Sequence, residues 1–398
     1  MTTLASLFQS SFGLYAVLAA TLALGIAVGY RLNWRQGRQR ENAGDAGVHP
    51  AFFKGLNYLI HNNQDKAIEE FTRAVKVDSD TVETYVTLGN LFRSKGEIER
   101  AIRIRQSIIL RPGVDKAIKR QAIYDLGLDY RKGGFIDRAI AAFEQLLNMD
   151  PANTQVYLQL EQLYEEIHDW GKSYQMRQKI SKLTGSDDRN ILAHHQTELG
   201  KVYAQKNLSP QAEDCFKKAI SLDVKCVDAY VHLADLYVGL GELDRALKMF
   251  KKLARMVPQM SHLAFRRLEE LKLTEKDEQK VERFLQECIQ IHETADVRLA
   301  LAWHRLKRGQ RNEAITELKK ALILNPRLIS ARKALGAIIL DLSMNEEVFV
   351  QYRQLLEILD IPQRDYQCSQ CGYASSGLTW KCPQCHRWDT IRRIEAIH

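Results

Sequence analysis

From about His49 to Ile361 the chain repeats itself with a period close to 34 residues, and no other feature limits its fold as strongly. In one copy Leu88, Gly89, Leu91 and Phe92 precede Gly96 and Ala101. In the next, Leu126, Gly127 and Tyr130 precede Asp137, Ala139, Phe143 and Pro151. Leu199, Gly200 and Tyr203 precede Ala212, Phe216 and Ala219. Tyr230, Leu233, Ala234 and Tyr237 precede Gly241, Ala246, Phe250 and Pro258. A later copy keeps Gly309, Ala314, Ala321 and Pro326. One such unit cannot bury its apolar face alone, so neighbours must stack to make a core. A length of 398 residues has room for two or three domains or for one long array, and the repeat selects the array.

The pattern resembles the tetratricopeptide repeat, a helix–turn–helix unit. Gly89 or Gly200 lets the first helix of a unit approach the second, and Ala101, Ala139, Ala212 and Ala246 sit where the helices cross most closely. Tyr130, Tyr203 and Tyr237 fill the space between turns. Pro151, Pro258 and Pro326 end the second helix and start the next unit. Nine units fit, at about 48–81, 82–115, 120–153, 154–187, 193–226, 227–260, 261–294, 295–328 and 329–361. The fourth, seventh and ninth are degenerate. Extra residues around Arg111–Lys119 and Ser186–Ile191 are expected to be loop insertions. The expected result is an all-α, right-handed superhelix whose concave face binds segments of other proteins.

Cys368, Cys371, Cys382 and Cys385 read C-x2-C-x10-C-x2-C, a spacing that brings four thiolates to one tetrahedral ion. Soft sulfur donors suit zinc or a mononuclear iron. Gly372 after the first pair and Pro383 within the second let the backbone turn tightly around the sulfurs. Residues 364–398 are too few for a core of their own, so the ion supplies much of their folding energy. The two pairs resemble the knuckles of a rubredoxin, with a much shorter stretch between them. Zinc ribbons share this geometry, and spacing alone does not separate zinc from iron. Four protein ligands leave no position for a substrate, which favours a structural or docking role over a redox one. The other cysteines, Cys215, Cys226 and Cys288, fall in helical patterns as buried free thiols, and the odd total of seven suits a reducing compartment.

Phe12 to Tyr30 holds no charged residue over 19 positions, close to the roughly 20 a helix needs to cross a bilayer. Tyr15 and Tyr30 lie near its ends, and Arg31, Arg35, Arg38 and Arg40 follow. The positive side stays in the cytoplasm, so residues 1–11 form an extracytoplasmic tip, 12–30 an uncleaved single-pass anchor, and 31–47 a basic linker. Gly25 and Gly29 make a GxxxG, which offers a route to a homo-oligomer. The net charge of +8 is small for this length and its signs are interleaved. No basic block carries aromatics, which argues against a nucleic-acid partner.

Two polar groupings stand out as possible sites. His194 and His195 are adjacent on a helix and so point apart, which suits surface or packing roles rather than a metal pair. Asp125, Asp129 and Asp137 with Arg131 and Arg138 read as a solvated charged face. The chain has no HExxH, GxSxG, P-loop or GxGxxG, and an enzyme is not expected.

The run from Thr87 to Gln106, the stretch Asn63 to Ala67, and the ending with Cys368, Cys371, Gly372, Trp380, Cys382, Pro383, Cys385, Trp388, Thr390 and Ile391 resemble the lipopolysaccharide assembly protein B family. The resemblance covers essentially the whole chain. It implies a Gram-negative inner-membrane protein with its body on the cytoplasmic side. Such a protein restrains lipopolysaccharide synthesis by promoting destruction of the deacetylase LpxC by the membrane protease FtsH. The family's metal ligands map onto Cys368, Cys371, Cys382 and Cys385. The middle repeats are only loosely similar, so no partner-contact residue carries over. The reading is a non-enzymatic, membrane-tethered adaptor whose metal-folded tail docks on the array. The alternatives are a general scaffold for lipopolysaccharide enzymes and a rubredoxin-type electron carrier.

Overall fold

Eight of the 34-residue copies fold as two helices and the ninth contributes one described helix, in a computed structural model that describes residues 50–77, 82–271, 273–342 and 366–394. The pairs are α1 (Pro50–Ile60) with α2 (Gln64–Val77), α3 (Val82–Lys95) with α4 (Ile98–Leu110), and α5 (Lys116–Lys132) with α6 (Ile136–Met149). They continue with α7 (Thr154–Glu166) and α8 (Trp170–Thr184), α9 (Arg189–Gln205) and α10 (Ser209–Leu222), and α11 (Val227–Gly239) and α12 (Leu243–Met256). The last are α13 (His262–Glu269) with α14 (Glu275–Ile291), α15 (Ala295–Lys307) with α16 (Arg311–Leu324), and α17 (Ile329–Leu342). Residues 1–149 and 150–398 form two compact units, each with its own packing.

The turn inside a unit needs a residue with positive φ. Asn62, Gly96, Gly134, His168, Asn207, Gly241 and Gly309 supply it, each at φ between 55° and 80°. Between units, α6, α12 and α16 each end two residues before Pro151, Pro258 and Pro326, as the sequence predicts. Ala101, Ala139, Ala212 and Ala246 are fully buried at the crossings. A Cβ added to Gly200 would lie 2.6 Å from the Phe216 ring, so only glycine admits that approach.

The same register explains two irregular units. Phe71, Phe143, Phe216 and Phe250 are among the largest fully buried side chains, and each contributes about 1.5–3 kcal/mol by burial. In the second unit this place is taken by Arg105, itself 0% exposed. Its Nη1 donates to the Val86 carbonyl at 3.1 Å, and its guanidinium pairs with Asp125 at 3.8 Å and Asp129 at 3.6 Å. Arg93 donates to the same two carboxylates, at 3.0 Å for Asp125. Burial pulls the Arg105 pKa down against both aspartates, and burial raises that of Asp129 against Arg93. The expected solvated face is therefore corrected. Asp125 and Asp129 are buried partners of two arginines from the preceding unit, and only Asp137 and Arg138 lie exposed. In the fourth unit the glycine and phenylalanine places are taken by Glu161 and Arg177, which form a two-pronged ion pair at 2.7 and 2.5 Å.

The extra residues around Arg111–Lys119 and Ser186–Ile191 divide between loop and helix. Residues 111–115 and 185–188 are connecting loops, and the remainder extend the helices: α5 begins at Lys116 and α9 at Arg189, and each runs 17 residues. Asp115 caps α5 by accepting from the Ala117 amide at 2.7 Å.

The tail is a three-stranded antiparallel sheet of order β2-β1-β3, from β1 (Tyr366–Cys368), β2 (Ala374–Ser375) and β3 (Ile391–Arg393). The tip 1–11, the anchor 12–30 with Gly25 and Gly29, the linker 31–47 and the second half of the ninth unit lie outside the described residues. Among the described residues no helix is long and apolar enough to cross a membrane.

Candidate metal centre

The two cysteine pairs are built alike. In the first, the Gly372 amide donates to the Cys368 carbonyl at 3.0 Å and the Cys368 amide to the Tyr373 carbonyl at 2.7 Å. In the second, the His386 amide donates to the Cys382 carbonyl and the Cys382 amide to the Arg387 carbonyl, both at 2.9 Å. Gly372 and His386 hold the matching left-handed position, at φ 76° and 56°. Cys368 lies in β1, and the bridge from Lys381 to Trp388 closes the second loop, so the sheet brings the pairs face to face.

The four sulfurs all lie within 4.8 Å of one another, with Cys368 to Cys385 at 3.7 Å and Cys371 to Cys382 at 3.6 Å. A tetrahedral ion with bonds of about 2.3 Å to sulfur separates its ligands by about 3.8 Å, so the donor set fits zinc or iron. At Cys368 burial opposes the thiolate, yet Thr390 and the amides of Cys371 and Gln370 outweigh it and bring the pKa down to about 6. At Cys371 the Tyr373 amide favours the thiolate, but burial and the three neighbouring sulfurs push the pKa up to about 12. Four thiolates this close need a cation to coexist. All four predicted ligands are thus brought together. The remaining cysteines are not: Cys226 and Cys288 are buried with thiols pushed up to about 12, chiefly by burial, and Cys215 is half-buried.

The tail sits on helices α7 to α9. Trp388 lies flat on His194, with ring centroids 4.8 Å apart and planes 15° from parallel. His194 Nε2 is 2.7 Å from Asp389 Oδ1, and Asn190 Nδ2 donates to the other Asp389 oxygen at 3.4 Å. Glu165 is the second anchor. It accepts from Trp388 Nε1 at 3.3 Å, from Lys381, and from His195 Nε2 at 2.8 Å. Ser173 Oγ stands 3.2 Å from the same imidazole nitrogen. Further along, the Tyr366 hydroxyl meets His262 at 3.2 Å and Arg393 pairs with Asp296 at 3.0 Å. Leu378 and Trp380 pack against the apolar core of the helices.

The two histidines therefore do pack, each 1% exposed or less, and engage different partners as their divergence requires. The sequence reading missed that their partner is the tail. Glu161, Glu165 and His195 also converge within 4.8 Å, but Arg177 and Lys381 already supply the positive charge there. Burial raises the Glu161 pKa to about 7 against Arg177, and burial lowers that of His195 against Glu165.

A family model described as a rubredoxin metal binding domain matches residues 366–393, and one described as a tetratricopeptide repeat matches 124–160 and 197–261. Lipopolysaccharide assembly protein B of Escherichia coli (strain K12) is 28% identical over 395 residues, covering 96% of this chain and 98% of its own. The protein of that name from Haemophilus influenzae is 25% identical, covering 95% and 98%. A tetratricopeptide repeat protein from Parabacteroides merdae superposes with a TM-score of 0.34 at 14% identity, over 73% of this chain and 98% of its own.

Proposed function

We infer that this chain, which belongs to the lipopolysaccharide assembly protein B family, is a non-enzymatic adaptor that limits lipopolysaccharide synthesis. The observation that carries this is the end-to-end match to relatives named for lipopolysaccharide assembly. Stacked helical hairpins present large surfaces to other proteins, and a tail with four cysteine ligands has no open position for chemistry on a substrate. Residues 12–30 tether the body to the inner face of the cytoplasmic membrane, with residues 31–47 as linker and 48–361 as the array. Confinement beside a membrane protease raises the effective concentration of the two without any new contact. The client is LpxC and the protease FtsH. Cys368, Cys371, Cys382 and Cys385 hold one zinc or iron ion, which when bound supplies folding energy to residues 364–398.

The test is the half-life of LpxC in cells with and without this protein. The adaptor reading expects a several-fold longer half-life in its absence. An unchanged half-life, with lipopolysaccharide synthesis still disturbed, would favour a general scaffold instead.

A further inference from the structure

The tail touches the helices through residues that sit beside its metal ligands. Tyr366, two residues before Cys368, meets His262. Lys381, the residue before Cys382, donates to Glu165. Trp388 and Asp389, held by His194, lead directly into Thr390. The His194 ring also faces Trp380, two residues before Cys382, with centroids 6.0 Å apart.

Thr390 reaches a ligand itself. Its Oγ1 lies 3.3 Å from Cys368 Sγ and 3.3 Å from the Arg387 carbonyl. A sulfur that binds a cation has no proton to give, so between these two atoms the hydroxyl is then the donor. Turning it to the sulfur strands nothing, because the Arg387 carbonyl keeps the Cys382 amide at 2.9 Å. A hydrogen bond to a charged acceptor is among the stronger ones a side chain can make.

The hydroxyl is aimed by the backbone on both sides of it. The Thr390 carbonyl accepts from the Ser369 amide at 2.8 Å, a bond internal to the tail. On the other side Asp389 stands at φ 55°, a left-handed conformation that costs a residue with a side chain. Its amide donates to the Trp380 carbonyl at 2.8 Å, and its carboxylate is held by His194 and Asn190 of α9. One side of the Thr390 placement therefore depends on a helix outside the tail.

We propose that α9 is part of the grip on the metal ion, with His194 a positioning residue that, through Trp388 and Asp389, holds the Thr390 hydroxyl on Cys368. Docking strengthens ion binding, and ion binding strengthens docking by the same factor. The seating of the tail and its affinity for the ion rise and fall together. The assignment rests on the four-cysteine site and names residues beyond its ligands, one of them outside the tail, that set its affinity.

The test is competition for zinc between the full-length protein and a chromophoric chelator. His194→Ala and Thr390→Val should each weaken zinc binding about ten- to a hundredfold, and Thr390→Ser, which keeps the hydroxyl, by less than about threefold. Adding Thr390→Val to His194→Ala should cost less than about a further threefold, because both changes act on one hydrogen bond. The losses show in affinity rather than in metal content, because structural zinc sites bind tightly enough to stay filled after such a loss. Asn190→Ala removes the other contact to Asp389, should weaken binding about two- to tenfold, and decides the matter if His194→Ala fails to fold. Parental affinity in the α9 variants, or losses that multiply in the double variant, would overturn the coupling and leave the metal centre standing. A parent chain that takes up no zinc would overturn both.

Discussion

His194 lies flat beneath Trp388, its ring 4.8 Å from the indole and 15° from parallel, while its Nε2 reaches Asp389 at 2.7 Å. One helix residue thus holds two consecutive tail residues, one through its face and the other through its edge. The extra residues before the fifth unit add a second contact beside it. Helix α9 begins at Arg189, after the loop 185–188, and its first turn presents Asn190, which donates to Asp389 at 3.4 Å.

Trp388→Ala should detach the tail without emptying it, since no metal ligand is touched. The variant loses the stack on His194 and the N–H bond to Glu165. A buried aromatic anchor of this kind contributes about 2–4 kcal/mol. Hydrogen exchange should speed up across 366–394 and around His194, while metal content stays at one per chain.

Removing the ion should do more. Chelation, or Cys371→Ser, should unfold 366–394, because the sulfurs of that segment are its main cross-link. Far-ultraviolet circular dichroism should keep nearly all its helical signal, because the hairpins bury their own cores. Loss of helix in proportion to metal would show that the array depends on the tail.

Acid should loosen the docked tail. Burial holds the His195 pKa below its ordinary 6.5, against the pull of Glu165. The stability carried by the neutral imidazole is complete above pH 6.5 and is lost as pH falls through the lower folded value. Glu165 has a lowered pKa because His195 and Lys381 outweigh its burial, so it adds a further loss below its ordinary 4.5. Glu161, raised by burial to about 7, works in the opposite direction. Tryptophan fluorescence from pH 8 to 5 should report release of the tail, and His195→Gln should flatten the upper part of that profile.

Arg105→Ala should cost about 3–5 kcal/mol, because it leaves Asp129 buried with Arg93 as its remaining partner. The double change Arg105→Phe with Asp129→Leu should recover most of this. It puts a ring against Gly89 as the neighbouring units do and removes the stranded charge. Urea denaturation of the two variants and the parent measures both.

What could be read in advance follows from the nature of the signal. The hairpins were legible because glycine, alanine and proline recur at fixed offsets, and Gly200, Ala212 and Pro258 do in the structure what their spacing requires. The metal ligands were legible because Cys368, Cys371, Cys382 and Cys385 must be close in sequence to be close in space. The seat of the tail was not, since His194 and Trp388 are joined by packing across nearly two hundred residues and no local pattern marks such a pair. The inward-placed arginines were hidden for another reason. Arg105 and Arg177 occupy phenylalanine positions, and only the register of the whole array reveals that Arg105 is fully buried and Arg177 partly so.

The most direct measurement is the half-life of LpxC in cells whose only copy of this protein is Cys371→Ser, with protein abundance matched to the parent. A tail that must be folded by its ion and clamped to α7–α9 for the adaptor to work requires a half-life several-fold longer than in the parent, close to that of cells lacking the protein. A parental half-life in cells whose variant has lost its metal would contradict that claim.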